Sequence, residues 1–140
     1  MRAGRWRSRK VHPLNALIVE NDDLLRDSLV RMFRTKGWHV DGFGSAEAVV
    51  PALEAGLPDV LICDEDLPGM DGLTLLERLG GEHPGTVTIL ICAHPNSKVA
   101  EKVKRSRIDG CLLKPFSTEE LENLLACLQG QRSHGVRASS

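Results

Sequence analysis

Four short apolar runs do not alternate with polar residues: Leu14 to Val19, Val60 to Cys63, Val87 to Cys92 and Cys111 to Leu113. A strand with one wet face alternates, whereas a strand covered on both faces reads as a continuous aliphatic and β-branched run. The pattern therefore points to a parallel sheet sandwiched between helices. A fifth run, Trp38 to Phe43, is more polar and suits an edge strand.

Helical periods fill the gaps between these runs. Leu24, Leu25, Ser28, Leu29, Met32 and Phe33 trace one face, ended by Gly37. Ala46 to Ala55 traces the next, with Ser45 as its N-cap. Leu73, Leu76 and Leu79 trace a third, stopped at Gly80-Gly81. Val99 and Val103 mark a thin, highly charged fourth segment. Leu121, Leu124, Leu125 and Leu128 mark a fifth, capped by Ser117 or Thr118 with Glu119 and Glu120 in its first turn. Strict βα alternation predicts an α/β, doubly wound five-stranded parallel sheet with right-handed crossovers.

The length of 140 residues suits one domain with short tails. The expected division is a basic tail over 1–13, the domain over 14–128, and a polar, flexible tail over 129–140. Charge separates along the same lines. Residues 1–10 carry Arg2, Arg5, Arg7, Arg9 and Lys10 with no acid, while residues 14–128 hold all 19 acids against 11 bases, a net charge near −8. The arm reads as a solvated tail, and direct nucleic-acid binding is not expected. No segment approaches the roughly 18 apolar residues needed to span a bilayer, and no apolar run follows the basic arm as in a secretory signal. Cys63, Cys92, Cys111 and Cys127 form no CxxC pair or metal-ligand spacing. Those inside apolar runs read as small buried packing residues in a reducing, cytoplasmic setting.

Functional groups of such sheets gather beyond the carboxyl ends of the strands. There the chain places Glu20, Asn21, Asp22 and Asp23; Asp64, Glu65 and Asp66; Ala93 and His94; and Lys114 with Pro115. Clustered carboxylates ionise together only when a cation joins them. Oxygen ligands in an open site favour Mg²⁺, which retains water and also binds phosphate. A carboxylate beside a metal and a lysine is equipped to attack phosphorus. Asp22 and Asp23 also suit a helix N-terminus, and His94 reads as a loop residue rather than a ligand.

The segments LIVEND (17–22), DVLICDEDLPGMDGL (59–73) and GCLLKPF (110–116) resemble the three signature blocks of response-regulator receiver domains, over about residues 14–128. The resemblance implies a flavodoxin-like, three-layer (βα)5 fold with strand order 2-1-3-4-5. It implies a phosphorelay role in two-component signalling, with Asp64 as phosphoacceptor and Lys114 and Cys92 as its neighbours. It assigns Glu20, Asn21, Asp64 and Asp66 to Mg²⁺ and predicts a cis Lys114–Pro115 bond. Its implied partners are a histidine kinase or phosphotransfer protein, and a downstream protein or second copy on the face of the fourth helix, fifth strand and fifth helix. Lys98, Lys102, Lys104, Arg105 and Arg107 lie on that fourth segment.

Three positions depart from the family pattern. Asn21 stands for an acid, Cys92 for a Thr or Ser, and Cys111 for a Tyr or Phe. They support an alternative in which the chain is a degenerate receiver, an interaction module independent of phosphorylation. The Asp64-Glu65-Asp66 triplet superficially resembles the nucleophile motif of haloacid-dehalogenase phosphatases, but Leu67-Pro68-Gly69 breaks that pattern, so no enzyme is expected.

Overall fold

A computed structural model describes residues 14–82, 85–93, 101, 104, 105 and 108–134. Five parallel strands, β1 (Asn15–Val19), β2 (His39–Phe43), β3 (Val60–Asp64), β4 (Val87–Cys92) and β5 (Gly110–Leu113), form one sheet in the order β2-β1-β3-β4-β5. The expected order and strand positions are therefore observed. Helices α1 (Asp23–Thr35), α2 (Ala46–Ala55), α3 (Gly72–Glu82) and α4 (Thr118–His134) pack against it. Of the segment expected between β4 and β5, only Glu101, Lys104 and Arg105 are described, and they are helical. Val99, Val103, His94, Lys98, Lys102 and Arg107 lie outside the described residues.

The period of two along each strand divides the core into two layers. Ala16, Ile18, Val60, Ile62, Val87, Ile89, Ile91 and Leu112 face Leu29 and Phe33 of α1 and Leu121, Leu125 and Leu128 of α4. Leu17, Val19, Leu61, Cys63, Leu90 and Cys92 face Ala46 and Val49 of α2 and Leu75, Leu76 and Leu79 of α3. Register keeps the parity common to the sheet: Ile18 pairs with Ile62, Ile62 with Ile89, and Ile91 with Leu112.

The helix starts are chemically specified. Asp22 caps α1 by accepting from the amides of Leu24 and Leu25. Ser45 caps α2 through Ala48 N. Ser117 and Glu120 form a reciprocal capping box at α4, with the Glu120 amide donating to Ser117 Oγ and the Ser117 amide to Glu120 Oε1.

Four expectations need correction. Leu24 is 80% exposed, because it sits two residues past the cap, off the stripe that carries Leu29 and Phe33. Helix α3 runs through Gly80-Gly81 to Glu82, since glycine lowers helix propensity by only about 1 kcal/mol and packing of Leu75, Leu76 and Leu79 outweighs it. Helix α4 continues to His134, so residues 129–134 extend it instead of starting a flexible tail. Cys111 and Leu113 are exposed, because β5 is the sheet edge and only Leu112 of its apolar run points into the core.

Candidate functional site

Strand parity explains which side chains meet. Glu20, Asp64 and Lys114 each stand two residues beyond an inward residue of the α1/α4 layer: Ile18, Ile62 and Leu112. Three aligned strands thus deliver three charged groups to one face at their carboxyl ends. The Lys114 ammonium lies 2.8 Å from Asp64 Oδ2 and 3.5 Å from Glu20 Oε2.

Asp64 ends β3 and is 1% exposed. Its Oδ2 accepts from Lys114 Nζ and its Oδ1 from the Asp66 amide at 2.9 Å. Glu20 is fully buried. Its Oε2 accepts from the Asp22 amide at 3.0 Å, while Oε1 is buried with no hydrogen-bond partner. Burial pushes the Glu20 carboxyl up to about 7, reinforced by the neighbouring Asp64 carboxylate, and opposed by the Asp22 amide and Lys114. Burial pulls Lys114 down, but its bond to Asp64 and the charges of Asp64 and Glu20 outweigh this and hold the ammonium above its ordinary range.

An orphaned buried carboxylate oxygen beside a second carboxylate fits a hard cation. Among the described residues no group of three His, Cys, Asp or Glu side chains is placed to hold a metal ion, which leaves the two carboxylates of Glu20 and Asp64. That donor set suits Mg²⁺, which is commonly held by one or two carboxylates and keeps several waters. Asn21 is exposed on the loop after Glu20. The Asp66 side chain is exposed too, and that residue joins the site through its backbone. Cys92 ends the neighbouring strand, but its thiol meets Cys111 Sγ at 3.0 Å. The Lys114–Pro115 bond is cis, as expected.

Several supporting residues escape a reading of motifs alone. Arg26 donates through Nη1 to the Glu20 carbonyl at 2.7 Å and through Nη2 to Asp23, tying α1 to the loop that carries the buried acid. The Glu65 carboxylate accepts from the Ala93 amide, bridging the ends of β3 and β4. Gly72 is buried against the end of β3, where a Cβ would strike the backbone carbonyl of Asp64. Gly69 has φ +82°, a left-handed conformation, and a Cβ there would run into the Glu47 carboxylate. The two glycines of the Pro68 to Gly72 turn thus let it fold closely over the site. Their presence in the sequence was the only signal available.

Residues 16–126 match the family model of the response regulator receiver domain. TcrX of Mycobacterium tuberculosis is 30% identical over 111 residues, covering 78% of this chain and 47% of that protein. The DNA-binding transcriptional regulator NtrC of Klebsiella pneumoniae is 35% identical over 105 residues, covering 75% of this chain and 22% of that protein. The chain thus spans less than half the length of these curated relatives. Among solved structures, the CheY-like response regulator receiver domain protein of Methanospirillum hungatei JF-1 superposes with TM-score 0.79 at 22% identity, covering 88% of this chain and 99% of that one. The BeF3-activated DrrB receiver domain superposes with TM-score 0.76 at 18% identity, covering 85% and 99%. These structural likenesses speak to the fold.

Proposed function

This chain belongs to the response regulator receiver family, and on that premise we propose that Asp64 accepts a phosphoryl group from a histidine kinase or phosphotransfer protein. The observation that carries the reading is the meeting of Asp64, Glu20 and Lys114 from three strands, with Lys114 Nζ at 2.8 Å from the acceptor carboxylate. A carboxylate oxygen of Asp64 attacks phosphorus in line with the leaving nitrogen of a phosphohistidine. The P–N bond breaks with its electron pair passing to nitrogen, which takes up a proton from water as the histidine departs, and an acyl phosphate remains on Asp64.

The chain's own groups supply positioning and charge. The Asp66 amide and Lys114 fix the two oxygens of Asp64. Once one of those oxygens is phosphorylated, Lys114 is available to hold a phosphoryl oxygen. Glu20, Asp64, the oxygen of Asn21 and the backbone carbonyl of Asp66 are the groups that would hold Mg²⁺, which supplies neutralisation of phosphoryl charge when bound. Output runs through β5 and α4 together with the segment bearing Lys104 and Arg105. Cys111, Leu113, Lys104 and Arg105 are exposed and so accessible to a downstream protein or a second copy. The site belongs to a cytoplasmic phosphorelay in this reading.

A second reading rests on one contact. The Cys92 thiol, at the position where the family places a hydroxyl, meets Cys111. A thiol is a weak donor, and Cys111 has no ring to move inward. In that reading the domain docks its partners without a phosphoryl signal.

Incubation with Mg²⁺ and acetyl phosphate, followed by intact mass, separates the two. Addition of one phosphoryl group that disappears in Asp64→Asn supports the acceptor reading. An unchanged mass at saturating donor overturns it in favour of the docking module.

A further inference from the structure

We propose that Cys92 and Cys111 form a redox-modifiable dithiol, oxidised by a hydroperoxide to an intramolecular disulfide between β4 and β5. The two sulfurs are 3.0 Å apart, nearer than the roughly 3.5–4.0 Å at which even carbon atoms rest in contact. They are unequal in access. Cys111 is exposed on the edge strand, whereas Cys92 is 2% exposed. An oxidant from solvent therefore meets Cys111 first, and Cys92 stands behind it as the resolving thiol. Burial, and then the hydrogen bond to Cys111, keep Cys92 protonated, which also directs the first attack to its partner.

The chemistry proceeds in two steps. The Cys111 sulfur attacks the O–O bond of the hydroperoxide. Two electrons pass from sulfur to oxygen, the alcohol or water leaves with a proton, and a sulfenic acid forms. The Cys92 sulfur then attacks that sulfur, losing its own proton, and the sulfenic hydroxyl departs as water.

Register indicates that the product is a labile bond and not a permanent staple. Cys111 pairs with Leu90, and Cys92 with Leu113, so the two cysteines occupy diagonal positions two residues apart along the strands. With strands about 4.8 Å apart and a rise of about 3.3 Å per residue, an offset of two residues separates the α-carbons by roughly 8 Å, beyond ordinary disulfide spans. Closing the bond must draw β5 toward β4, and an edge strand is the one able to give. Strained and accessible disulfides are the readily reduced ones. The movement has a consequence at the charged site, because the Lys114 amide donates to the Cys92 carbonyl at 2.8 Å.

The test uses the full chain treated with hydrogen peroxide, alkylated, and analysed without reductant, so its outcome does not depend on whether Asp64 accepts phosphate. The expected result is an intact mass carrying two fewer alkyl groups than the unoxidised control, and a peptide linking Cys92 to Cys111. Dithiothreitol should reverse both. The link should vanish in Cys111→Ser and persist in Cys127→Ser, which removes the other exposed thiol. Stepwise oxygen addition at Cys111 with no link, dimers joined through Cys111, or an unreacted chain would each overturn the proposal.

Discussion

The ammonium of Lys114, on the edge of the sheet, reaches past β4 to lie 2.8 Å from Oδ2 of Asp64 at the end of β3. It is the cation that partners two carboxylates removed from water, so its loss is felt by both. Replacing Lys114 with Met should destabilise the fold at pH 7 by about 1–3 kcal/mol. That is less than the ~3–5 kcal/mol typical of breaking a fully enclosed pair, because the lysine side chain retains 29% exposure. Urea denaturation of both proteins at pH 7 measures the difference, and an unchanged midpoint would contradict it.

Glu20 makes the stability of the domain depend on pH in an unusual direction for an acid. Its carboxyl is raised from 4.5 to about 7 on folding, so between these values the folded state holds a proton that the unfolded state has released. Its contribution is fully present below pH 4.5 and is lost as pH climbs to about 7, by on the order of 2–3 kcal/mol. Denaturation without Mg²⁺ at pH 5, 6 and 7 should show this fall, and Glu20→Gln should remove it. A wild type and a Glu20→Gln variant with parallel pH profiles would refute the prediction.

Mg²⁺ should bind more tightly to Asn21→Asp, by roughly an order of magnitude, since one more negative charge joins an oxygen site. Isothermal titration calorimetry reads this directly. Equal affinities would remove Asn21 from the set of residues around the metal.

Gly72→Ala should distort the end of β3, because the added methyl meets the Asp64 carbonyl and the Cys63 sulfur. The cost expected of such overpacking is about 1–3 kcal/mol. Gly69→Ala should cost about 1–2 kcal/mol from its left-handed backbone, before the encounter with Glu47 is counted. Thermal melts of both variants check these values, and Gly56→Ala, where a Cβ meets nothing, is the neutral comparison.

Beryllofluoride with Mg²⁺ should shift the amides of Asp64, Asp66 and Lys114 strongly and those of Cys111 and Leu113 weakly. A ligand moves a two-state equilibrium only through its differential affinity for the states, and a thiol at 92 offers little of it. The double variant Cys92→Thr, Cys111→Tyr should enlarge the shifts on β5. Large wild-type shifts at 111 and 113 would show an ordinary switch.

The sheet was legible because burial on both faces writes itself as uninterrupted apolar runs, and all five strands fall where those runs lie. The meeting of Glu20, Asp64 and Lys114 was legible too, since they follow the strand ends. Edges were harder. Cys111 and Leu113 look as apolar as Leu112, but an edge strand has cover for only part of its surface. Gly80-Gly81 looked like a stop, and tertiary packing carried α3 through it. The roles of Arg26 and the Cys92–Cys111 contact depend on diagonal and cross-element distances that no local pattern encodes.

Lys114 is tied at both ends: its amide to the Cys92 carbonyl, its ammonium to Asp64. Chemistry at the carboxylate and displacement of the outer strand therefore tug on the same residue from opposite ends. The exchange rate of a single backbone proton, that of Lys114 with deuterium from solvent, then becomes a gauge of both.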